Sequence, residues 1–382
     1  DGTYLRKTKN HFQSLNIQEV SGLAETVDVK NKQVKLVGGK SLAYDKLLIA
    51  TGSQPVRPPI PGIDSPGVHP CWTLEDARAI QKLAKPGARV LQMGAGFIGC
   101  IILEALASRG VDLTVVEMGN RMVPRMMTEG AGTLIKEWVQ SKGVTVYTDT
   151  KVEAITPVKS SGGIVSKIAG IFGGSNSSPL QVKLSNGKTI EVDLVISATG
   201  VRPNIAYLKN SGIEINTGIL IDNKMQTSVP DVYAAGDVTE SIDFSTGKRI
   251  VNAIQPNAAE QAKIAGANMV GGKAESQGTI QINVLDTLGL ISSSFGQWWG
   301  VEGGDHVELR DAKNFKYMRL EFNGDVLIGA TSCGLTEHVG ALRGLIQTRV
   351  PLGEWKEHLM HDPTKIMDAY LAKAQARAQW MS

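Results

Sequence analysis

Several features that would define a special class of protein are scarce in this chain. Its 382 residues hold only three cysteines, Cys71, Cys100 and Cys333. They are isolated and odd in number, and no C-x-x-C or C-x4-C pair occurs. That argues against a disulfide framework or an internal dithiol centre, and fits a reducing cytoplasm. No apolar run approaches the ~20 residues of a membrane span, and Asp1 to Lys7 do not read as a signal peptide. Neither sign of charge dominates. A net charge of +3 leaves no field strong enough to make nucleic acid or an anionic membrane the main partner. No metal site is expected. What remains is an ordinary globular composition, 42% hydrophobic and 20% charged. Its length suits two or three domains with ample cores.

One stretch organises the rest. Arg89 to Met93 reads as a short buried strand, Phe97 to Arg109 as a helix, and Leu113 to Glu117 as a second strand. Gly94, Gly96 and Gly99 fall between them in G-x-G-x-x-G spacing. In that pattern the first glycine allows a tight turn, the second admits a pyrophosphate to the backbone, and the third lets helix and strand pack closely. The free N–H groups and dipole at the helix start, around Phe97 and Ile98, then hold phosphate charge. Glu117 follows about 20 residues after the first glycine, where an acid binds a ribose 2′-hydroxyl and repels a 2′-phosphate, favouring NAD over NADP. The competing reading is a structural turn in some other α/β domain.

Around this unit the chain divides into blocks. Residues 1–70 alternate apolar and polar positions, as in short half-exposed strands. They close with Tyr44 to Ser53, a buried strand ending in Ala50-Thr51-Gly52, and then Pro55, Pro58, Pro59 and Pro61 mark a crossover. Residues 71–200 hold the nucleotide unit, with a Thr73-capped helix, an amphipathic segment from Gly130 to Lys142 and a strand at Val144 to Tyr147. Gly162-Gly163 and Gly173 to Ser178 predict exposed, mobile loops. The block ends with a second buried strand closing in Ala198-Thr199-Gly200. Residues 201–275 carry the strand Val232 to Ala235 with Gly236 and Asp237 at its carboxyl end, then a helix from Asn257 to Met269 with Pro256 near its start. From 276 to 382, strands at Ile280–Val284, Tyr317–Phe322 and Val326–Gly329 precede helical segments. No repeat at solenoid spacing occurs.

Two strand-ended Ala-Thr-Gly motifs bracketing a G-x-G-x-x-G unit, followed by Tyr233-Ala-Ala-Gly-Asp237, resemble the pyridine nucleotide–disulfide oxidoreductases. The resemblance is nearest to their NADH oxidase, rubredoxin or ferredoxin reductase, and nitrite reductase flavoprotein branches. It implies an α/β fold of the two-dinucleotide-binding, Rossmann-like type. The FAD domain would be split between 1–70 and 201–275, an NAD(P)H domain would span 71–200, and a C-terminal α+β interface domain, 276–382, would usually form a homodimer. By position, Thr51, Gly52, Gly236 and Asp237 would contact FAD, with Asp237 on the ribityl hydroxyls. Asn257 and Ala258 would lie on the helix whose dipole faces the flavin ring. Gly94, Gly96, Phe97, Ile98, Gly99, Glu117 and Gly200 would serve NAD. The implied activity is FAD-dependent oxidation of NADH, with electrons passed to a small molecule, to O2 or to a redox protein. A non-catalytic NAD-binding or scaffolding subunit is the alternative. A single-nucleotide Rossmann dehydrogenase comes third, because no Tyr/Lys or His/Asp set accompanies the glycines.

The chain also departs from that family. The family's first G-x-G-x-x-G, in an N-terminal βαβ unit, has no counterpart, and the same segment carries the redox cysteine of several branches. Cys100 and Ile101 stand where many members place a glutamate near the nicotinamide, and Glu104 is displaced by three positions. His361-Asp-Pro363-Thr364, with Met367, is an imperfect echo of the dithiol branch's His-Pro-Thr-x-x-Glu base motif, so no catalytic residue is assigned. His358 reads as a surface helix residue. Trp298 and Trp299 read as interface-domain core ahead of an acceptor surface. Cys71, Cys100 and Cys333 read as buried small hydrophobes, with Cys333, beside Gly334, the one to test for reactivity.

Overall fold

The computed structural model describes residue 8 and residues 10–158 and 179–380. The glycine loops expected at 162–163 and 173–178 lie outside the described residues.

A five-stranded parallel sheet forms the nucleotide unit, in the order Val68–Pro70, Leu194–Ser197, Arg89–Met93, Asp112–Val116, Thr145–Tyr147. The edge strand Val68–Pro70 therefore comes from ahead of residue 71. The strands are near-continuous aliphatic runs because both faces are covered, as parallel sheets require. Val90, Val115, Leu194 and Ile196 point to one face, against the helices Phe97–Ala107 and Glu129–Ser141. Their neighbours Leu91, Val116 and Val195 point to the other, against the antiparallel strands Val152–Pro157, Leu180–Leu184 and Thr189–Val192. Helix Leu74–Leu83 starts from a capping box, in which the Thr73 hydroxyl accepts the Asp76 N–H and the Asp76 carboxylate accepts the Thr73 N–H.

A second, two-stranded parallel pair joins Leu47–Ile49 to Val232–Ala234. Ile264 and Ala265 of the helix Gln255–Met269 pack in the same core as Ile49, Val232 and Ala234. The two parallel units are connected by an antiparallel ribbon of Ser53–Pro55 and Val201–Pro203. The Val56 N–H bonds the Gly200 carbonyl at 2.8 Å at one end, and the Asn204 N–H bonds the Gly52 carbonyl at 2.9 Å at the other. Each Ala-Thr-Gly motif thus ends on this ribbon.

The C-terminal part is a five-stranded antiparallel sheet in the order Ile282–Thr287, Leu290–Gly296, Val326–Cys333, Lys316–Asn323, Asp305–Asp311. Strands Leu290–Gly296 and Asp305–Asp311 add to the three read from the sequence. One face packs under the helices Val339–Thr348, Glu354–His361 and Ile366–Trp380. On the opposite face Leu285, Leu290, Tyr317 and Cys333 share a core with the nucleotide helices. Trp138 seals that seam by donating Nε1–H to the Thr287 carbonyl at 3.0 Å. The two tryptophans divide: Trp298 is 8% exposed and belongs to the core, whereas Trp299 is 47% exposed. Among the described residues, no helix is long and apolar enough to cross a membrane.

Candidate dinucleotide sites

The glycine turn sits at the carboxyl end of the central strand, beside the point where the strand order reverses toward Leu194–Ser197. Ligands bind in that crevice in open α/β sheets. Gly94 takes φ +95°, and a Cβ there would lie 2.4 Å from the Ala198 carbonyl oxygen. Its place is fixed by backbone conformation and by close approach of the second Ala-Thr-Gly. Gly99 has no room either, because its Cβ would lie 2.4 Å from the Gly94 carbonyl oxygen. Gly96 differs: a Cβ there would meet nothing within 4 Å, which leaves a cradle open on the side where a pyrophosphate would approach. Gly96 caps the helix Phe97–Ala107, and the N–H groups of Gly96, Phe97 and Ile98 make no hydrogen bond among the described residues. Free donors and helix dipole converge on one open spot, a geometry suited to a phosphate anion.

Glu117, just past the second strand, reaches back to this turn. Its Oε2 accepts the Ala95 N–H at 2.7 Å, and its Oε1 accepts the Gly119 N–H at 2.8 Å. The carboxylate keeps further lone pairs for a ribose hydroxyl. Arg125 was missed in the sequence. Its exposed guanidinium has no partner among the described residues, and Nη1 lies 3.9 Å from the Cβ position of Gly200. Gln92 was also missed. It is a buried amide within an aliphatic strand, and that interruption was the one available signal.

The second cluster forms where the two-stranded parallel pair ends. Thr51 and Gly52 follow one strand, Gly236 and Asp237 follow the other, and the Ala235 N–H bonds the Ile49 carbonyl at 3.0 Å. Ser53 Oγ donates to Asp237 Oδ2 at 3.1 Å. Gln261 Oε1 accepts the Gly236 N–H at 2.8 Å, drawing the first turns of the helix Gln255–Met269 onto this end, with Ala258 Cβ 3.5 Å from the Gly236 Cβ position. Asn257, in that first turn, is 4% exposed, and its Nδ2 has no partner. A buried donor left unsatisfied is costly unless something supplies an acceptor. The orphaned amide, the dipole behind it and the paired carboxylate fit a flavin with its ring carbonyls at the helix start.

The remaining candidates do not join these clusters. Ile101 is 51% exposed, and Glu104 is exposed one turn along the same helix, while Cys100 is fully buried. His361 is exposed at the end of its short helix. Cys71 is corrected to half-buried, whereas Cys100 and Cys333 are buried, as expected, and burial pushes each of these two thiols up to about 12. Neither thiol presents the accessible thiolate that reactivity needs. Among the described residues no group of three or more His, Cys, Asp and Glu is placed to hold a metal.

Fold and turn together define a dinucleotide-binding α/β protein. Residues 4–262 match the pyridine nucleotide-disulphide oxidoreductase family model, and the chain belongs to that family. Over 335 residues it is 31% identical to the NADH-dependent phenylglyoxylate dehydrogenase subunit epsilon of Aromatoleum evansii, spanning 87% of this chain and 75% of that one. An NADH oxidase of Methanocaldococcus jannaschii is 36% identical over 256 residues, 65% of this chain but only 53% of the relative. Among solved structures, a NAD-dependent persulfide reductase from A. fulgidus superposes with a TM-score of 0.79 at 28% identity, over 93% of this chain and 67% of that one.

Proposed function

We propose that the chain is the NADH-oxidising part of an FAD-dependent oxidoreductase, passing electrons from NADH through flavin to a small molecule, to O2 or to a redox protein. The observation that carries the reading is the pairing of an open, donor-rich glycine turn with a second cluster holding an orphaned buried amide, joined by one ribbon. When bound, FAD supplies the hydride acceptor and the outlet for electrons. The chain's own work is to bind and orient. Gly94, Gly96, Phe97, Ile98 and Gly99 hold the NADH pyrophosphate, Glu117 holds its adenosine ribose, and Gly200 lies on the same side, with Arg125 beside it. Thr51, Gly52, Gly236, Asp237, Asn257 and Ala258 hold FAD. Related proteins described as NADH-dependent or as NADH oxidases support this reading. Three free cysteines support a cytoplasmic setting. A homodimer joined through the C-terminal sheet and helices completes the proposal. The test is the absorption spectrum of purified protein supplied with FAD. Flavin bands that bleach on anaerobic addition of NADH support the reading. A colourless protein that still binds NADH overturns it in favour of a non-catalytic NAD-binding subunit.

A further inference from the structure

Strand Arg89–Met93 is aliphatic along its buried length except at Gln92, which is fully buried. Gln92 lies between Ile196 and Val115 of the neighbouring strands. An amide in that setting carries a desolvation cost that only hydrogen bonds offset. Gln92 makes one such bond, from Nε2 to the Gly94 carbonyl at 2.9 Å, while its Oε1 has no partner. The peptide it grips is the first of the glycine turn. The other end of that peptide, the Ala95 N–H, donates to Glu117 at 2.7 Å. The next carbonyl, on Ala95, accepts the Val123 N–H at 2.8 Å. Rotating the Gly94–Ala95 peptide would turn its carbonyl toward the Glu117 carboxylate and its N–H toward the Gln92 amide donor. Close packing reinforces the hold, since a Cβ on Gly99 would lie 2.9 Å from Gln92 Nε2.

We propose that Gln92 is a positioning residue for the NADH pyrophosphate. By fixing the Gly94–Ala95 peptide it sets the unpaired N–H groups of Gly96, Phe97 and Ile98, and the Glu117 carboxylate, in binding geometry before the cofactor arrives. Geometry fixed in advance lowers the ordering cost of binding. The inference rests on NADH occupying this turn, as proposed above. It also makes two readouts diverge. An apolar side chain of similar size removes the orphaned Oε1 but strands the Gly94 carbonyl, two opposed effects on the fold, while it releases the turn, which weakens binding.

The experiment compares the full chain with Gln92→Met and Gln92→Leu, measuring NADH affinity by calorimetric titration and Tm without ligand. The expected result is a Kd for NADH raised roughly three- to tenfold, the worth of one hydrogen bond, with Tm little changed because one orphaned polar atom replaces another. Variants that bind NADH as tightly as the parent chain overturn the inference alone. Weakened binding accompanied by a lowered Tm also overturns it, because Gln92 is then merely structural. A parent chain that fails to bind NADH overturns both this inference and the functional proposal beneath it.

Discussion

The Tyr317 hydroxyl lies 2.8 Å from Thr128 Oγ1, joining the C-terminal sheet to the segment that leads into the nucleotide helix Glu129–Ser141. The same hydroxyl donates to Glu308 Oε2 at 2.9 Å, and Glu308 in turn pairs with Arg319. Tyr317 is fully buried, and burial first, then the carboxylate beside it, hold its phenol well above the usual range. Tyr317→Phe should therefore cost about 1–2 kcal/mol by stranding the Thr128 side of this bridge. In thermal melts that reads as a drop of about 2–4 °C. Thr128→Ala combined with Tyr317→Phe should cost less than the sum of the two single changes.

The three glycines of the turn should separate by measurement. Gly96→Ala places its methyl in open space, so the melting temperature should hold while the Kd for NADH rises about tenfold or more, as the cradle fills. Gly99→Ala drives a methyl toward the Gly94 carbonyl, so both affinity and melting temperature should fall. Equal loss of stability in the two variants would contradict the open cradle.

Val123 has φ +50° although it is β-branched, a backbone state that costs roughly 1–3 kcal/mol. It is retained because its N–H holds the Ala95 carbonyl and its side chain is 1% exposed. Val123→Gly relieves the backbone strain that Val123→Ala keeps. The glycine variant should match or exceed the alanine variant in thermal melts, reversing the usual order of these two residues.

Thiol chemistry offers a check against pH. Cys100 and Cys333 are raised by burial from an ordinary value of 9.0 to about 12, so the native state keeps both protonated where the unfolded chain has lost its protons. The stabilisation is complete below pH 9 and is lost as pH rises toward 12. Denaturation midpoints should decline across that window, and less steeply after Cys100→Ser and Cys333→Ser are combined. At pH 8, a thiol-specific reagent should modify half-buried Cys71 first and reach the other two only on unfolding.

Local signals carried much of this molecule into its sequence. Gly94 needs a positive φ, Thr73 and Asp76 form a reciprocal cap, and aliphatic runs such as Leu194 to Ile196 mark a strand covered on both sides. Contacts between distant segments left no such trace. Leu285, Leu290 and Cys333 reach the nucleotide core through tertiary packing that no local period encodes. Ser292, Ser293 and Ser294 read as a polar stretch, yet all three are fully buried in a strand, and Ser293 bonds Ser332 across the sheet at 2.7 Å. Hydroxyls that find partners escape the rule that polar residues face water. Arg125 fell through the same gap, since it takes its place beside the Gly200 backbone, whereas Gln92 grips a carbonyl two residues away and was marked only by its break in an aliphatic run.

The ribbon of Ser53–Pro55 and Val201–Pro203 carries the chain into and out of the nucleotide unit as a doubled stalk. Entry and exit run side by side and are bonded to each other. A swivel of the nucleotide unit therefore has to twist both strands as one torsion bar, stiffened by Pro55 and Pro203, and to shear the core shared with Leu285, Leu290 and Tyr317. If the two clusters hold NADH and FAD as proposed, the spacing between them becomes a mechanical property of that bar and of the shared core together.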